Sequence, residues 1–285
     1  MKLVRFGPAD EERPGILLDE GILDVRAAAF DIEDYHAAFF ERNGLERLRG
    51  LVAESKRAIV PRDGVRLGPP LARPGKIVCV GKNYRAHAVE FGGELPSTPV
   101  LFAKAVSAVN GPYDPIELPV DAQTVDGEAE LGVVIGRRAR CVSEAEALDY
   151  VFGYTVVNDV TDRDRQRAGG QWFRGKGVDS FCPLGPWLVT RDEIADPHAL
   201  AVRQRVNGAT LQDGHTGDMS FRVPFLIAFI SASMTLEPGD VIATGTPDGI
   251  GSAQTPPVLL QPGDVIECEV DGLGAQRNPV VRRGR

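Results

Sequence analysis

The sequence predicts a β-rich α+β fold, because short apolar runs outnumber segments with helical periodicity. Six runs after residue 75 are rich in β-branched side chains and are bounded by Gly or Pro, which is typical of strands. They cover residues 77–80, 131–135, 153–157, 187–189, 241–244 and 265–270. Helical periodicity is limited to residues 84–91, 143–150, 161–168 and 223–233. We therefore expect a mixed sheet with few helices.

The first sixty residues predict a small separate α/β lobe. Short strands in KLVRF, GILLDEG and ILDV precede a helix-like stretch over residues 32–56. In residues 61–74, Pro and Gly crowd together and the hydrophobic period is lost, which is typical of a linker. We expect an N-terminal lobe at 1–60, a linker at 61–74 and a catalytic domain at 75–285.

Composition narrows the classes of function. The chain has 285 residues, of which 43% are hydrophobic and 25% charged, as expected for a folded, soluble protein that buries a core. Its net charge of -8 favours neither nucleic acid nor a membrane as a partner, because both attract clustered Lys and Arg. The sequence has no signal-peptide pattern and no apolar run of the roughly 20 residues that span a bilayer. A cytoplasmic location is therefore expected.

The four cysteines predict neither a zinc site nor a disulfide framework. Cys79, Cys141, Cys182 and Cys268 lie far apart and form no C-x-x-C pair. Cys182 is a possible nucleophile, but no histidine lies near it in sequence and buried thiols are common. Buried, unreactive thiols are the expectation.

Two glutamates at strand spacing form the first candidate site. The segment DGEAELGVVIG contains an apolar run that predicts a strand, whose two-residue period places Glu128 and Glu130 on one face. Neighbouring carboxylates repel each other, so on an inward face they require a cation or a raised pKa. Oxygen ligands suit Mg²⁺, Mn²⁺ or Ca²⁺. The alternative is an edge strand with a solvated acidic face.

Asp159 adds a third carboxylate at the end of the next predicted strand, where catalytic residues are often found. Thr161 and Asp164 resemble a capping box, so a helix is expected to begin there. Three carboxylates fill half of an octahedral shell and leave adjacent positions open, as a catalytic metal requires. The carboxylate and keto oxygens of a 2-oxo acid would fit those positions as a five-membered chelate.

Five segments, which include those of the three carboxylates, occur in a recognisable order. They are VGKNYRAHAVE from residue 80, EAEL from 128, NDVTDRDRQ from 158, WFRGK from 172 and ATGTPDGIG from 243. Together they resemble the fumarylacetoacetate hydrolase family, from about residue 74 to the C-terminus. The resemblance implies the C-terminal-like fold of that family with a small N-terminal lobe, and a homodimer. It also implies one Mg²⁺ or Mn²⁺ per chain, held by Glu128, Glu130 and Asp159.

The same resemblance implies catalytic roles for His87, Glu90 and Lys176. Family members that hydrolyse a C–C bond use a histidine and a glutamate on a lid, and His87 and Glu90 match them. Their i, i+3 spacing places both on one face of a short helix, where the glutamate would raise the basicity of the imidazole that deprotonates water. Lys176 matches a lysine that stabilises charge on substrate oxygens. A surface histidine and a loop lysine are the alternatives.

Substrate binding is implied for Arg163, Gln166 and Thr246. Arg163 and Gln166 match the pair that holds the substrate's carboxylate or oxo groups, the alternative being a solvated helix face. Thr246 lies in a glycine loop whose N–H groups and hydroxyl could bind a carboxylate, but that lacks the Lys-Ser/Thr of a phosphate loop. His215 falls in a segment that lies near the active site in the family, and substrate contact without catalysis is expected for it.

The resemblance supports several activities. Because His87 and Glu90 are intact, we expect metal-dependent hydrolysis of a C–C bond in a 2,4-diketo acid, of the acylpyruvase type, giving pyruvate and a carboxylic acid. The opening KLVRFGP resembles members that act on 2,4-diketo-3-deoxy sugar acids such as rhamnonate or fuconate derivatives. Oxaloacetate decarboxylase and hydroxyhepta-diene-dioate isomerase are the alternative enzymes, and a metal-dependent sugar-acid binding protein is the alternative without catalysis.

Overall fold

A 12-stranded sheet forms the centre of the molecule. The computed structural model describes residues 1–54, 58–90 and 92–284. Strands within these ranges are β1 (Lys2–Phe6), β2 (Arg13–Leu18), β3 (Gly21–Asp24), β4 (Ile59–Val60), β5 (Leu67–Gly68), β6 (Ile77–Gly81), β7 (Val100–Lys104), β8 (Val109–Asn110), β9 (Ile116–Leu118), β10 (Val125–Asp126), β11 (Ala129–Ile135), β12 (Val151–Asn158), β13 (Thr161–Asp162), β14 (Cys182–Thr190), β15 (Ala201–Val206), β16 (Ala209–His215), β17 (Val241–Ala243), β18 (Val265–Val270) and β19 (Gly274–Arg282). The central order is β4-β3-β2-β1-β14-β12-β11-β17-β6-β7, with β5 on β1 and β8 on β14.

The middle strands of this sheet are covered on both faces. Every residue of β11 is buried, which explains why its apolar run does not alternate with polar residues. β11 is antiparallel to β12 and β17, whereas β17 is parallel to β6, so the sheet is mixed, as predicted. The predicted strand 187–189 is the end of the longer β14, whose Pro183 and Pro186 weaken the strand pattern in the sequence.

A second sheet of five strands, in the order β16-β15-β18-β19-β9, packs beside the first. Gln276 of β19 links the two sheets, because its buried amide donates to the carbonyls of Val156, Pro183 and Gly185 at 2.8 to 3.2 Å. Two residues each from β10 and β13 form a small separate ladder. This second sheet supplies the hairpin β15–β16, which reaches the candidate site described below.

Helices of the described residues are short and few. They are α1 (Val25–Ala28), α2 (Ala37–Glu41), α3 (Gly44–Ala53), α4 (Arg85–Glu90), α5 (Arg163–Arg167), α6 (Phe173–Lys176) and α7 (Val223–Ser233), with 3₁₀ turns at Val106–Ala108, Glu144–Tyr150, Arg191–Glu193, Thr216–Asp218 and Gly251–Ala253. The β-rich α+β class is therefore confirmed.

The helices predicted over 32–56 and 143–150 differ from those observed. The single helix expected over 32–56 is two helices, α2 and α3, because Asn43 adopts a left-handed conformation with φ of 55° between them. The segment 143–150 forms a 3₁₀ turn rather than an α-helix. Residue 91 of the predicted helix 84–91 and residues 55 and 56 of the predicted stretch 32–56 lie outside the described residues.

The N-terminal strands extend the central sheet rather than forming a sheet of their own. Lys2 and Leu3 of β1 pair with Val189 and Leu188 of β14, so hydrogen bonds cross the predicted boundary between lobe and catalytic domain. The division at 1–60, 61–74 and 75–285 remains a prediction about independent folding units.

α7 is the most apolar of the described helices and packs into the core through Leu226, Ile227 and Ile230. It begins at Val223, whose backbone N–H donates to Nε2 of His198 at 3.1 Å. His198 therefore satisfies one of the donors that a helix start leaves unpaired. No helix among the described residues is both long and apolar enough to cross a bilayer.

The cysteines fit the expected structural role with one exception. Cys79, Cys182 and Cys268 are buried, whereas Cys141 is exposed, contrary to the expectation. Burial raises the pKa of Cys182 to about 12, so its thiol stays protonated near neutral pH. This disfavours Cys182 as a nucleophile.

Candidate metal centre and active site

Strand pairing brings three carboxylates together. β11 begins at Ala129, directly after Glu128, and its first residue pairs with Asn158 at the end of β12. The backbone N–H of Asp159 donates to the carbonyl of Glu128 at 2.9 Å. As a result, Glu128, Glu130 and Asp159 each offer a carboxylate oxygen, and the three atoms lie within 4.8 Å of one another. We call these residues the acidic triad.

Two buried lysines neutralise part of the triad. Lys176 of α6 donates to Glu128 Oε2 at 2.8 Å and to Asp159 Oδ2 at 2.6 Å. Lys104, the last residue of β7, donates to Asp159 Oδ1 at 2.5 Å and to the carbonyl of Val160 at 3.0 Å. Lys176 was predicted as a site residue, but Lys104 was not. A lysine that ends an apolar strand is the only signal that the sequence offers for it.

The electrostatic balance differs between the two glutamates. Burial opposes ionisation of Glu128, but the charges of Lys176 and Arg163 outweigh it and lower the pKa. Burial raises the pKa of Glu130, and the charges of Asp159 and Glu128 raise it further. Glu130 therefore carries repulsion that the surrounding lysines do not cancel, although its Oε2 accepts the N–H of Gly245 at 2.8 Å.

A divalent cation fits this donor set. All three side chains are buried, and they offer only carboxylate oxygens, the ligands that Mg²⁺ and Mn²⁺ prefer. A cation would also remove the repulsion that raises the pKa of Glu130. The triad is therefore suitable for one metal ion, and the alternative of a solvated acidic face does not hold.

Arg163 is a buried partner of the triad. Its Nε donates to Asp126 Oδ1 at 2.6 Å, and Nη2 donates to Glu128 Oε1 at 2.7 Å. Nη1 donates to Gln166 Oε1 at 3.2 Å. Only 2% of Arg163 is exposed, so the solvated helix face considered from the sequence does not hold for it. Nε and Nη2 of Arg163 are therefore both engaged by carboxylates of the protein.

The start of α5 differs from the predicted capping box. Asp162 caps the helix and accepts the N–H of Arg165 at 3.1 Å. Thr161 instead belongs to β13 and donates its hydroxyl to the carbonyl of Asp159 at 2.9 Å. The pairing of β13 with β10 keeps Thr161 extended, and the helix therefore begins one residue later than the capping box implies.

His87 and Glu90 form a hydrogen-bonded pair on α4. His87 Nδ1 lies 3.3 Å from Glu90 Oε2, and Glu90 Oε1 accepts the N–H of Gly249 at 2.8 Å. The carboxylate of Glu90 is thus held from two sides and in turn holds the imidazole. Only 6% of His87 is exposed, so it is not the half-exposed surface histidine considered from the sequence.

Thr246 is held by a residue that was not predicted. Its hydroxyl donates to the carbonyl of Ala129 and accepts from Nε2 of Gln212, both at 2.8 Å. Gln212 of β16 also donates to the carbonyl of Pro247 and accepts the N–H of Ala129. This fully buried amide therefore joins the triad strand to the glycine loop.

One cavity of about 230 Å³ connects these groups. Seven of the nine predicted site residues line it: His87, Glu128, Glu130, Arg163, Gln166, Lys176 and Thr246. The other two, Asp159 and Glu90, are hydrogen-bonded to the lining residues Lys176 and His87, respectively. The rings of Phe102 and Trp172, 5.2 Å apart in an edge-to-face arrangement, form an apolar wall. His215 has a local role, because its Nδ1 accepts the N–H of Gly217 at 3.0 Å.

Comparisons with known proteins agree with this fold. The family model described as fumarylacetoacetate (FAA) hydrolase C-terminal matches residues 76–281. Oxaloacetate tautomerase fahd2, mitochondrial, from Xenopus laevis is 44% identical over 289 residues, which cover 99% of this chain and 90% of the relative. The chain therefore belongs to the fumarylacetoacetate hydrolase family.

Two solved structures show the breadth of that family. Maleylpyruvate hydrolase from Sphingobium sp. SYK-6, in complex with manganese (II) ion and pyruvate, has a TM-score of 0.81 and 34% identity, with 100% of each chain covered. 5-carboxymethyl-2-hydroxymuconate delta-isomerase from Mycobacterium smegmatis has a TM-score of 0.78 and 37% identity, also with 100% of each chain covered. The relatives thus include a hydrolase, an isomerase and a tautomerase, and the chain is an enzyme of this family.

Proposed function

We propose that this protein is a metal-dependent hydrolase that cleaves the C3–C4 bond of a 2,4-diketo acid and releases pyruvate and a carboxylic acid. The observation that carries the proposal is the His87–Glu90 pair, because His87 lines the same cavity as the acidic triad. Hydrolysis needs a base that activates water, whereas decarboxylation and enolisation do not need water. Pyruvate bound to the maleylpyruvate hydrolase of Sphingobium supports a three-carbon 2-oxo acid as one product.

Glu128, Glu130 and Asp159 would hold one Mg²⁺ or Mn²⁺. Bound there, the cation would act as a Lewis acid on the 2-oxo group of the substrate. Manganese in the Sphingobium structure supports a transition metal or magnesium at this position. Arg163 orients Glu128 through a hydrogen bond of 2.7 Å, and such contacts behind a ligand usually tune its affinity for metal.

His87 would act as the general base. In the tautomer in which Nδ1 donates to Glu90, the lone pair needed for a base lies on Nε2. Glu90 fixes this tautomer because the N–H of Gly249 holds its second oxygen at 2.8 Å. The base would take a proton from water as the water adds to the C4 carbonyl.

Lys176 would stabilise the charge that develops next. When the C3–C4 bond breaks, its electron pair passes to C3 and forms the enolate of pyruvate. The neighbouring Asp159 and Glu128 outweigh burial and raise the pKa of Lys176, so the side chain stays cationic at neutral pH. A preorganised cation in a buried site is well suited to oppose this negative charge.

Pyruvate release from 2,4-diketo acids and from oxaloacetate tests the reaction type. His87→Ala should lower diketo acid cleavage by roughly 10² to 10⁴-fold, the usual contribution of a general base, and should lower oxaloacetate decarboxylation much less. Arg85→Ala is the matched control, since Arg85 is exposed on the same helix. Equal losses on both substrates would contradict a water-activating role for His87.

Tautomerisation of oxaloacetate is the second candidate, favoured by the 44% identity to the Xenopus tautomerase. That reaction moves one proton between C3 and the C2 oxygen and could use the same base and cation, as could diene-dioate isomerisation, whereas oxaloacetate decarboxylation would need the cation and Lys176 but no base. Decay of the enol absorbance after addition of oxaloacetate would measure it. Tautomerisation without any pyruvate release would favour this candidate, and no turnover at all with Mg²⁺ or Mn²⁺ would favour a binding protein.

Three finer features stay predictions from the sequence. A 2,4-diketo-3-deoxy sugar acid substrate would be tested by a panel of diketo acids with different groups beyond C4. A homodimer would be tested by sedimentation. The predicted cytoplasmic location would be tested by fractionation, which is informative because the Xenopus relative is described as mitochondrial.

A further inference from the structure

Two cations that line the catalytic cavity form no ion pair with a carboxylate of the described residues. Lys82 and Arg167 line the cavity together with the triad, yet none of the ion pairs among the described residues includes either side chain. Arg165, two residues before Arg167, shows the contrast, because it pairs with Asp121 and Asp162. In a chain with a net charge of -8, two unpaired cations facing one cavity suggest an anionic ligand group.

Local structure places Lys82 at the cavity wall. It directly follows β6 and adopts a left-handed conformation with φ of 55°, which is uncommon for a residue with a side chain. At the preceding Gly81 a Cβ would lie 2.5 Å from the Trp172 ring, so only glycine leaves room for that ring. Trp172 can therefore pack against the strand end beside Lys82.

Arg167 lies on the helix that also carries Arg163. The two are four residues apart on α5 and thus on one face, with Arg167 about 6 Å farther along the helix axis. Arg163 contacts the triad, so Arg167 lies one turn away from it. The exposed position of Arg167 places it toward the mouth of the cavity.

An apolar wall connects the two charged ends. Lys176 Nζ, which contacts the triad, lies 5.0 Å from the centre of the Phe102 ring. Phe102 packs against Trp172, and Trp172 packs against Gly81, next to Lys82. This order of contacts gives an acidic end, an apolar middle and a cationic end, a profile that fits a short carbon chain with an oxo acid at one end and a carboxylate at the other.

We propose that Lys82 and Arg167 form a second anion subsite that binds the distal carboxylate of a dicarboxylic 2-oxo acid. The proposal rests on the proposed function for the position of the oxo acid end. It makes Lys82 and Arg167 determinants of specificity, and it favours a carboxylate over the hydroxyl groups of a sugar-acid tail, since a hydroxylated tail leaves both cations without a counter-charge.

Binding of two five-carbon acids tests the subsite without any turnover. 2-Oxoglutarate and 2-oxopentanoate differ only in the terminal carboxylate, and their dissociation constants can be measured by calorimetry with Mg²⁺ present. Wild type should bind 2-oxoglutarate more tightly. Lys82→Met and Arg167→Met should each reduce that preference about tenfold, as expected for loss of a hydrogen bond to a charged group, and binding of 2-oxopentanoate should change little.

Arg73→Met is the matched control, because Arg73 is exposed, has no ion pair among the described residues and lines a different cavity. Equal affinity of wild type for the two acids, or a preference that persists in the double variant, would overturn the subsite. Pyruvate release is measured separately on 2,4-diketo acids of equal length that end in a carboxylate, a methyl group or a hydroxyl. If wild type prefers 2-oxoglutarate but cleaves none of them, the hydrolase proposal fails and the subsite stands.

Discussion

Replacing Lys104 with methionine should destabilise the protein through the acidic triad. Lys104 and Asp159 are both fully buried and 2.5 Å apart, so the variant leaves Asp159 in the interior with one cation fewer. Breaking a buried ion pair from one side costs about 3 to 5 kcal/mol. Because Lys176 still donates to Asp159 at 2.6 Å, we expect the lower end, about 3 kcal/mol. For a chain of this size that corresponds to a decrease of about 6 to 12 °C in Tm.

The assay is urea unfolding in the presence of a chelator, with Lys76→Met as the control. Lys76 pairs with the buried Asp240 but is 33% exposed, and Asp240 keeps two backbone donors, the N–H groups of Lys76 and Glu237. The control should therefore lose at most about 1 kcal/mol. If Lys104→Met loses no more free energy of unfolding than Lys76→Met, the charge balance argued for the triad is wrong.

Further predictions concern metal binding, the role of Arg163 beside a metal ligand, and the pH dependence of stability. Glu128→Gln should abolish Mn²⁺ binding in calorimetry without unfolding the chain, and retained binding would remove Glu128 from the ligand set. Arg163→Lys should weaken Mn²⁺ binding about 10 to 100-fold, because lysine cannot reproduce the forked contacts behind a ligand; an effect on KM alone would instead support a role in substrate binding. Burial lowers the pKa of His198, against the opposing charge of Asp196. The unfolded chain then binds a proton on His198 at a higher pH than the folded chain does. The free energy of unfolding should therefore fall as pH drops below about 6.5, and His198→Gln should reduce this dependence.

Local patterns were sufficient to predict the triad. The two-residue period relates Glu128, directly before β11, to Glu130 within it, and Asp159 directly follows β12, the next strand in the chain. Adjacent antiparallel strands brought the start of one beside the end of the other. Such pairing between consecutive strands is common, so a short-range pattern could anticipate a three-dimensional site.

Residues that depend on distant partners were missed. Lys104 is buried because Asp159, 55 residues later, supplies its counter-charge, and nothing within its own strand indicates this. The break at Asn43 was missed for a related reason. A Cβ on Gly44 would lie 2.2 Å from the Phe39 ring, so the turn there depends on close packing of two helices rather than on periodicity.

Thr246 lines the cavity, but its hydroxyl is already hydrogen-bonded within the protein. The sequence placed it in a glycine loop whose hydroxyl and N–H groups could bind a substrate carboxylate, and it does line the cavity. Its one hydroxyl proton, however, is donated to Ala129, and Gln212 donates to the same oxygen. A carboxylate can only accept hydrogen bonds, so a substrate carboxylate at this loop has to be bound by a main-chain N–H. The hydroxyl instead fixes the loop against the strand that carries the triad, which links the position of the glycine loop to that of the triad.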